Sequence, residues 1–126
     1  SWRGIAFEEV CLKHISQIKY ALHIGAVSSQ ESSLIVKGNE EADGMQIDLL
    51  IDRADDAVNV CEMKFYKAPY AVTKGYAQVL NSRLQALEEK NPAKTFLLTY
   101  VGNSELVSNE YSDIFRASVT LDDLFV

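Results

Sequence analysis

Apolar positions follow three different rhythms along the chain. From Gly4 to about Ile24, Glu8, Cys11, Ile15, Ile18 and Leu22 recur at spacings of three and four, with Leu12 alongside. That spacing predicts a helix with one buried stripe, and Gly25 is placed to end it. Ser32–Gly38 (SSLIVKG) predicts a short strand. Gln46–Ile51 and Val58–Phe65 are rich in Ile, Val and Leu and are separated by Asp52-Arg53-Ala54-Asp55-Asp56, which predicts a hairpin. Helical spacing returns from about Thr73 to Lys90, with Thr73 as N-cap and Asn91-Pro92 as the stop. Tyr76, Val79, Leu80, Leu84 and Leu87 form its expected buried stripe. Thr95–Val101 (TFLLTYV) is nearly continuous in apolar residues, as in a central strand covered on both faces. Ile114–Val119 predicts a further strand at an edge, and Leu121–Phe125 a short closing helix. The order α-β-β-β-α-β-(β)-α predicts one α/β domain over residues 1–126, a mixed central sheet flanked by helices.

The hairpin carries the most chemistry. Side chains alternate faces along a strand, so Gln46, Asp48 and Leu50 share one side, and Val58, Val60, Glu62 and Lys64 share another. An antiparallel register with Asp48 opposite Glu62 sets Asp52 opposite Val58 and leaves a loop of ordinary hairpin length. In that register two carboxylates and one ammonium group meet on one face. Like charges at cross-strand distance repel unless a cation lies between them. A hard divalent ion such as Mg²⁺ takes carboxylate, carbonyl and water oxygens, and a nearby lysine can orient water or stabilise a phosphoryl oxygen. The competing reading is a cross-strand salt bridge between Asp48 and Lys64. Asp48 and Glu62 on opposite faces would contradict the catalytic reading.

Glu8 is the acid on an otherwise apolar helical stripe. A first-turn carboxylate favours the helix dipole by ~0.3–1 kcal/mol, but Glu9 would serve that purpose equally well. An acid facing the core needs a partner, and an ion held by Asp48 and Glu62 is one. His14 and His23 have no Ser, Cys or acidic companion at a telling spacing and read as structural residues. Asn39 to Asp43 reads as a solvated acidic turn, with a second ion as the alternative.

Composition narrows the class. With 126 residues, 48 % of them hydrophobic, the chain can build a proper core. It has no apolar run of the ~20 residues that a membrane span needs and no signal-peptide pattern. Its first residues are Ser1-Trp2, so a piece of a longer polypeptide is expected. Cys11 and Cys61 form no CxxC pair and read as buried reduced thiols of a cytoplasmic protein. A formal charge of −6 counts against a free-standing nucleic-acid binder. Yet Lys64, Lys67, Lys74 and Arg83 follow the second hairpin strand with no acid among them.

IDLLID followed by VCEMKF resembles the core of the PD-(D/E)XK nuclease superfamily, with Asp48 as the motif aspartate and Glu62-x-Lys64 as the ExK element. GIAFEEVCLKHISQIKYAL and LDDLF extend the likeness to one branch, the nuclease-like domain C-terminal to AAA-type ATPases of bacteria and archaea. The resemblance implies a restriction-endonuclease-like fold and Mg²⁺- or Mn²⁺-dependent hydrolysis of DNA. It implies that Asp48, Glu62, the Met63 backbone carbonyl and Glu8 hold the ion, and that Lys64 orients the attacking water. Lys67, Lys74 and Arg83 are the expected phosphate contacts. Polar residues of the second long helix approach the site in that family, which brings in Gln78 beside Lys74; ordinary surface residues are the alternative. The implied partners are nucleic acid and an ATPase domain of the same polypeptide, with self-association open and no membrane. A different class stays open as well: a non-catalytic module that docks on an ATPase domain or on a second copy of itself.

Overall fold

A computed structural model describes residues 2–40, 44–120, 122 and 123. It is a mixed α/β fold with helices on both faces of a five-stranded sheet. The elements run α1 (Trp2–Lys13), α2 (Ile15–Ala21), β1 (Ser29–Val36), β2 (Met45–Arg53), β3 (Ala57–Lys64), α3 (Lys74–Lys90), β4 (Thr95–Gly102), a 3₁₀ turn (Ser112–Ile114) and β5 (Ala117–Thr120). Strands lie in sequence order, β1-β2-β3-β4-β5. The first three are antiparallel, and β4 and β5 continue parallel to β3. The parallel step follows from the crossover through α3, since parallel neighbours cannot be joined by a tight turn.

The sheet separates two cores. Ala77, Leu80 and Leu87 of α3 pack on Val58 and Val60 of β3 and on Leu98 and Tyr100 of β4. On the other face, Phe7, Cys11 and Ile18 of α1 and α2 pack on Leu49, Ile51, Cys61, Val101 and Val119. Both cysteines are free and buried, and burial pushes each thiol up to about 12. Gly102 lies where a Cβ would overlap the phenol of Tyr100, so only glycine lets that ring fold back over the end of β4.

The expected long first helix is two helices. The ladder breaks at His14, whose Nδ1 lies 2.7 Å from the Val10 carbonyl. The second helix ends at Leu22, and His23 rather than Gly25 takes the left-handed conformation beyond it, at φ 62°. Thr73 caps α3 as expected, its hydroxyl accepting from the Tyr76 N–H at 3.2 Å. Val79 is exposed, and Ala77 takes the inward position beside Leu80. The last strand starts later than expected, at Ala117, because Ser112–Ile114 forms a 3₁₀ turn. The closing helix expected over Leu121–Phe125 falls largely outside the described residues, as do Glu41–Asp43 of the acidic turn.

Candidate functional site

The β2–β3 register is the expected one. Asp52 pairs with Val58, Leu50 with Val60 and Leu49 with Cys61. There the ladder stops. Beyond Leu49, β2 pairs only with β1, and beyond Cys61, β3 pairs only with β4, through Glu62↔Tyr100 and Lys64↔Gly102. The sheet therefore forks, and Asp48 and Glu62 are the first residues past the last rung.

The expected common face for Asp48 and Glu62 is overturned, and with it the single-face site that the catalytic reading from sequence required. Ser32 pairs with Leu50 but Leu34 pairs with Ile47, so β2 carries one extra residue opposite Ser33. Such a bulge shifts the alternation by one. Ile47 and Leu50 both face the α3 core, while Leu49 and Ile51 face α1. Asp48 goes with Leu49 to the α1 side, where it lines a recess with Glu8, Leu12, Ile15, Ser33 and Gln46. Glu62 and Lys64 point to α3.

On the α1 side two acids meet, and among the described residues no cation is paired with either. Asp48 Oδ1 accepts from Gln46 Nε2 at 3.1 Å. Glu8 has its carboxyl pushed above the usual range by burial first and then by the charges of Asp48 and Glu9. Glu8 thus does lie by Asp48, on the stripe that holds Cys11 and Ile18 inward.

On the α3 side one acid is surrounded by donors. Glu62 Oε2 accepts from the Tyr76 hydroxyl at 2.5 Å. Arg83 Nη1 lies 3.4 Å from Oε1, and Lys64 Nζ lies 3.4 Å from Oε2. Lys64 Nζ also donates to the Tyr76 oxygen at 3.0 Å and sits over the Tyr76 ring, 4.4 Å from its centroid. Burial works to lower the Lys64 pKa, but the Tyr76 hydrogen bond and the Glu62 charge outweigh it and hold the ammonium charged. Arg83, expected on phosphate, is an ion-pair partner of Glu62. Lys67, Lys74 and Gln78 are exposed. Lys67 lines a groove with Lys64, and Gln78 a separate recess with Arg83. Tyr76 was not among the sequence candidates; its place on the apolar stripe of α3 disguised the hydroxyl.

The sequence motif implies a hard divalent ion, whose ordinary ligands are oxygens. Glu8 and Asp48 suit it, since a cation would relieve the crowding that raises Glu8. Glu62 suits it in type, but its oxygens are engaged by Tyr76 and Arg83. Among the described residues, no three His, Cys, Asp or Glu side chains stand together as a metal-holding group. An ion shared across the fork therefore requires Glu62 to exchange its present partners for the cation. Lys64 and Glu8 do border one recess, with Phe7, Met63, Phe65 and Tyr66.

No family model and no curated protein matches the chain. One solved structure does, a protein of unknown function designated AF1548, at 15 % identity and a TM-score of 0.56. The likeness covers 88 % of this chain and 63 % of that one, so this chain spans less than two thirds of its neighbour. At that identity the two share a fold. The chain is accordingly similar in architecture to AF1548: a mixed α/β sheet layered between helices.

Proposed function

We propose that this domain hydrolyses phosphodiester bonds of DNA with the help of Mg²⁺ or Mn²⁺, using a restriction-endonuclease-like arrangement centred on the β2–β3 fork. One observation carries the reading. The ladder opens at Leu49↔Cys61, so the motif residues Asp48 and Glu62 flank the opening. Glu8 and Lys64 border a recess beside it. A fork leaves strand edges that need hydrogen-bond or ligand partners, which suits a site better than a continued sheet does. The acids approach the fork from its two faces rather than from one, so the single-face site that the catalytic reading first required is ruled out, and the proposal rests on the opened ladder alone.

Glu8, Asp48, Glu62 and the Met63 carbonyl would hold the ion, which supplies Lewis acidity and an acidified water. Lys64, held protonated by Tyr76 and Glu62, places positive charge where a phosphoryl oxygen gains negative charge. Tyr76 keeps that ammonium on the site side of β3. Lys67 and Lys74, both exposed, would contact the phosphate backbone, and Gln78 lies further along α3. An ATPase domain of the same polypeptide, in the cytoplasm, is the partner that the sequence resemblance implies. Among the described residues no helix is long and apolar enough to cross a membrane. The alternative, a non-catalytic docking module, draws on the extensive partnering of Glu62.

The deciding experiment is cleavage of supercoiled plasmid with Mn²⁺ by the chain and by Lys64→Ala. Cleavage that falls ~100-fold or more in the variant, the usual loss on removing one transition-state charge contact, is the expected result. No cleavage by either, with both folded, would favour the docking module.

A further inference from the structure

Beside the fork lies a groove of about 700 Å³ lined by Lys64, Tyr66, Lys67, Tyr70, Thr73 and Tyr76, among others. Tyr66 and Tyr70 in its lining head a file of aromatic rings that runs into the core. Tyr100 stacks on Tyr70 at 5.7 Å between centroids, and Tyr70 stacks on Tyr66 at 5.0 Å. The inner two rings belong to the core, with Tyr100 at 0 % and Tyr70 at 9 % exposure. Tyr66 ends the file at 46 % exposure.

An exposed tyrosine at the end of a core stack needs no fixed backbone, yet this one is clamped. Asn103 accepts from the Tyr66 N–H at 2.8 Å and donates to its carbonyl at 2.8 Å, and the Ser104 hydroxyl donates to the same carbonyl at 3.0 Å. Three side-chain hydrogen bonds thus fix the backbone beneath a ring that contributes little to the core and stacks on Tyr70. Pre-setting a surface ring in this way lowers the ordering cost of whatever stacks on it.

The groove also has a direction. Tyr66 and Lys64 line both it and the recess that contains Glu8 and Met63. A chain with a flat ring in the groove would lead its neighbouring charged link past Lys64 toward that recess. Lys67, exposed at the groove rim, adds a second cation, and among the described residues no acid lines the groove.

We infer that this groove takes an unpaired nucleotide of a single-stranded nucleic acid, its base stacked on Tyr66 and its phosphates held by Lys67 and Lys64. A base inside a duplex is covered on both faces, so only an unpaired one can use Tyr66. Any base has a stacking face, so the groove sets strand type rather than sequence. The inference deepens the hydrolase reading and rests on it for the position of the scissile link.

Binding measured in EDTA separates the two. Fluorescence anisotropy would use a labelled oligo-dT strand, the same strand with abasic sites, and a duplex of mixed sequence. Expected is binding of oligo-dT that weakens about tenfold in Tyr66→Ala, the loss of one base–aromatic stack, and survives in Tyr66→Phe. The abasic strand should bind more weakly and show no dependence on Tyr66. Lys67→Ala should weaken every strand and flatten the salt dependence. Equal oligo-dT affinity for the chain and a folded Tyr66→Ala would overturn the inference. So would a duplex bound as tightly as the single strand, or no binding of oligo-dT at low salt. Tyr66-dependent binding without cleavage when Mn²⁺ is added would instead refute the hydrolase and leave a single-strand-binding groove.

Discussion

The two faces of the sheet handle their acids in opposite ways. On the α1 side, Glu8 and Asp48 stand together, and burial and mutual repulsion raise Glu8. On the α3 side, Glu62 is held by the Tyr76 hydroxyl and by two cations, Lys64 and Arg83. Among the described residues the first pair has no positive charge beside it, and the second cluster supplies its own. On the proposed reading, an ion entering the fork would gain from the first and would have to compete with the second. On the same metal-dependent reading, that asymmetry would make metal binding a contest over Glu62, with Tyr76 as the side chain that decides how readily it is released.

The largest expected effect breaks the α3 side. Glu62→Ala leaves Lys64 and Arg83 facing each other without their shared acid. Removing one member of a buried ionic cluster costs about 3–5 kcal/mol, and partial exposure of both cations puts this case near the lower figure. Urea unfolding of the apo protein measures it. A loss under ~1 kcal/mol, the range of a surface pair, would mean the cluster is solvent-screened.

Glu8→Gln sharpens the α1 side. It should lower Mn²⁺ affinity about tenfold, or ~1.4 kcal/mol, whereas Glu9→Gln leaves it unchanged. Titration of folded protein by calorimetry compares them directly. Equal effects would return Glu8 to a helix-dipole role.

Tyr76→Phe tests the contest itself. Losing the hydroxyl removes a hydrogen bond to a charged group and should cost about 1–2 kcal/mol of apo stability. The same variant frees a Glu62 oxygen, so its Mn²⁺ affinity should rise. Lower stability with lower affinity would show that Tyr76 positions Glu62 for the ion instead of withholding it.

The smallest effect is on pH dependence. Glu8 is raised in the folded state, so the native protein binds its proton more tightly than the unfolded chain does. Its contribution to stability is present below the unfolded value, near 4.5, and is lost as pH rises through the folded value. Melting temperatures of the apo protein should therefore show that pH-dependent loss in the parent and not in Glu8→Gln.

Much of this arrangement is written in the chain. The hairpin register followed from the two apolar runs, because burial on both sides leaves few ways to pair them. Thr73 and Asn91-Pro92 bracket α3 by local chemistry that tertiary packing did not override. Three features were hidden for physical reasons. The bulge at Asp48-Leu49 leaves no mark because Leu49, Leu50 and Ile51 are all apolar, so a shift of one residue exchanges one hydrophobic side chain for another. The break at His14 occurs without Pro or Gly, inside a stripe whose spacing carries through it. Tyr76 and Tyr66 look like core or loop residues in sequence, and their roles depend on Glu62 and Asn103, distant along the chain.

The most direct test is the Mn²⁺-induced rise in melting temperature of the parent, Asp48→Asn and Glu62→Gln, each referred to its own apo value. A ligand that binds only the folded state stabilises it by RT ln(1 + [L]/Kd), so the shift reports occupancy of the site. If one ion bridges the fork, both substitutions remove most of the shift, although the acids lie on opposite faces. If Glu62→Gln keeps the full shift while Asp48→Asn loses it, the ion belongs to Glu8 and Asp48 alone, and the shared site at the fork is contradicted.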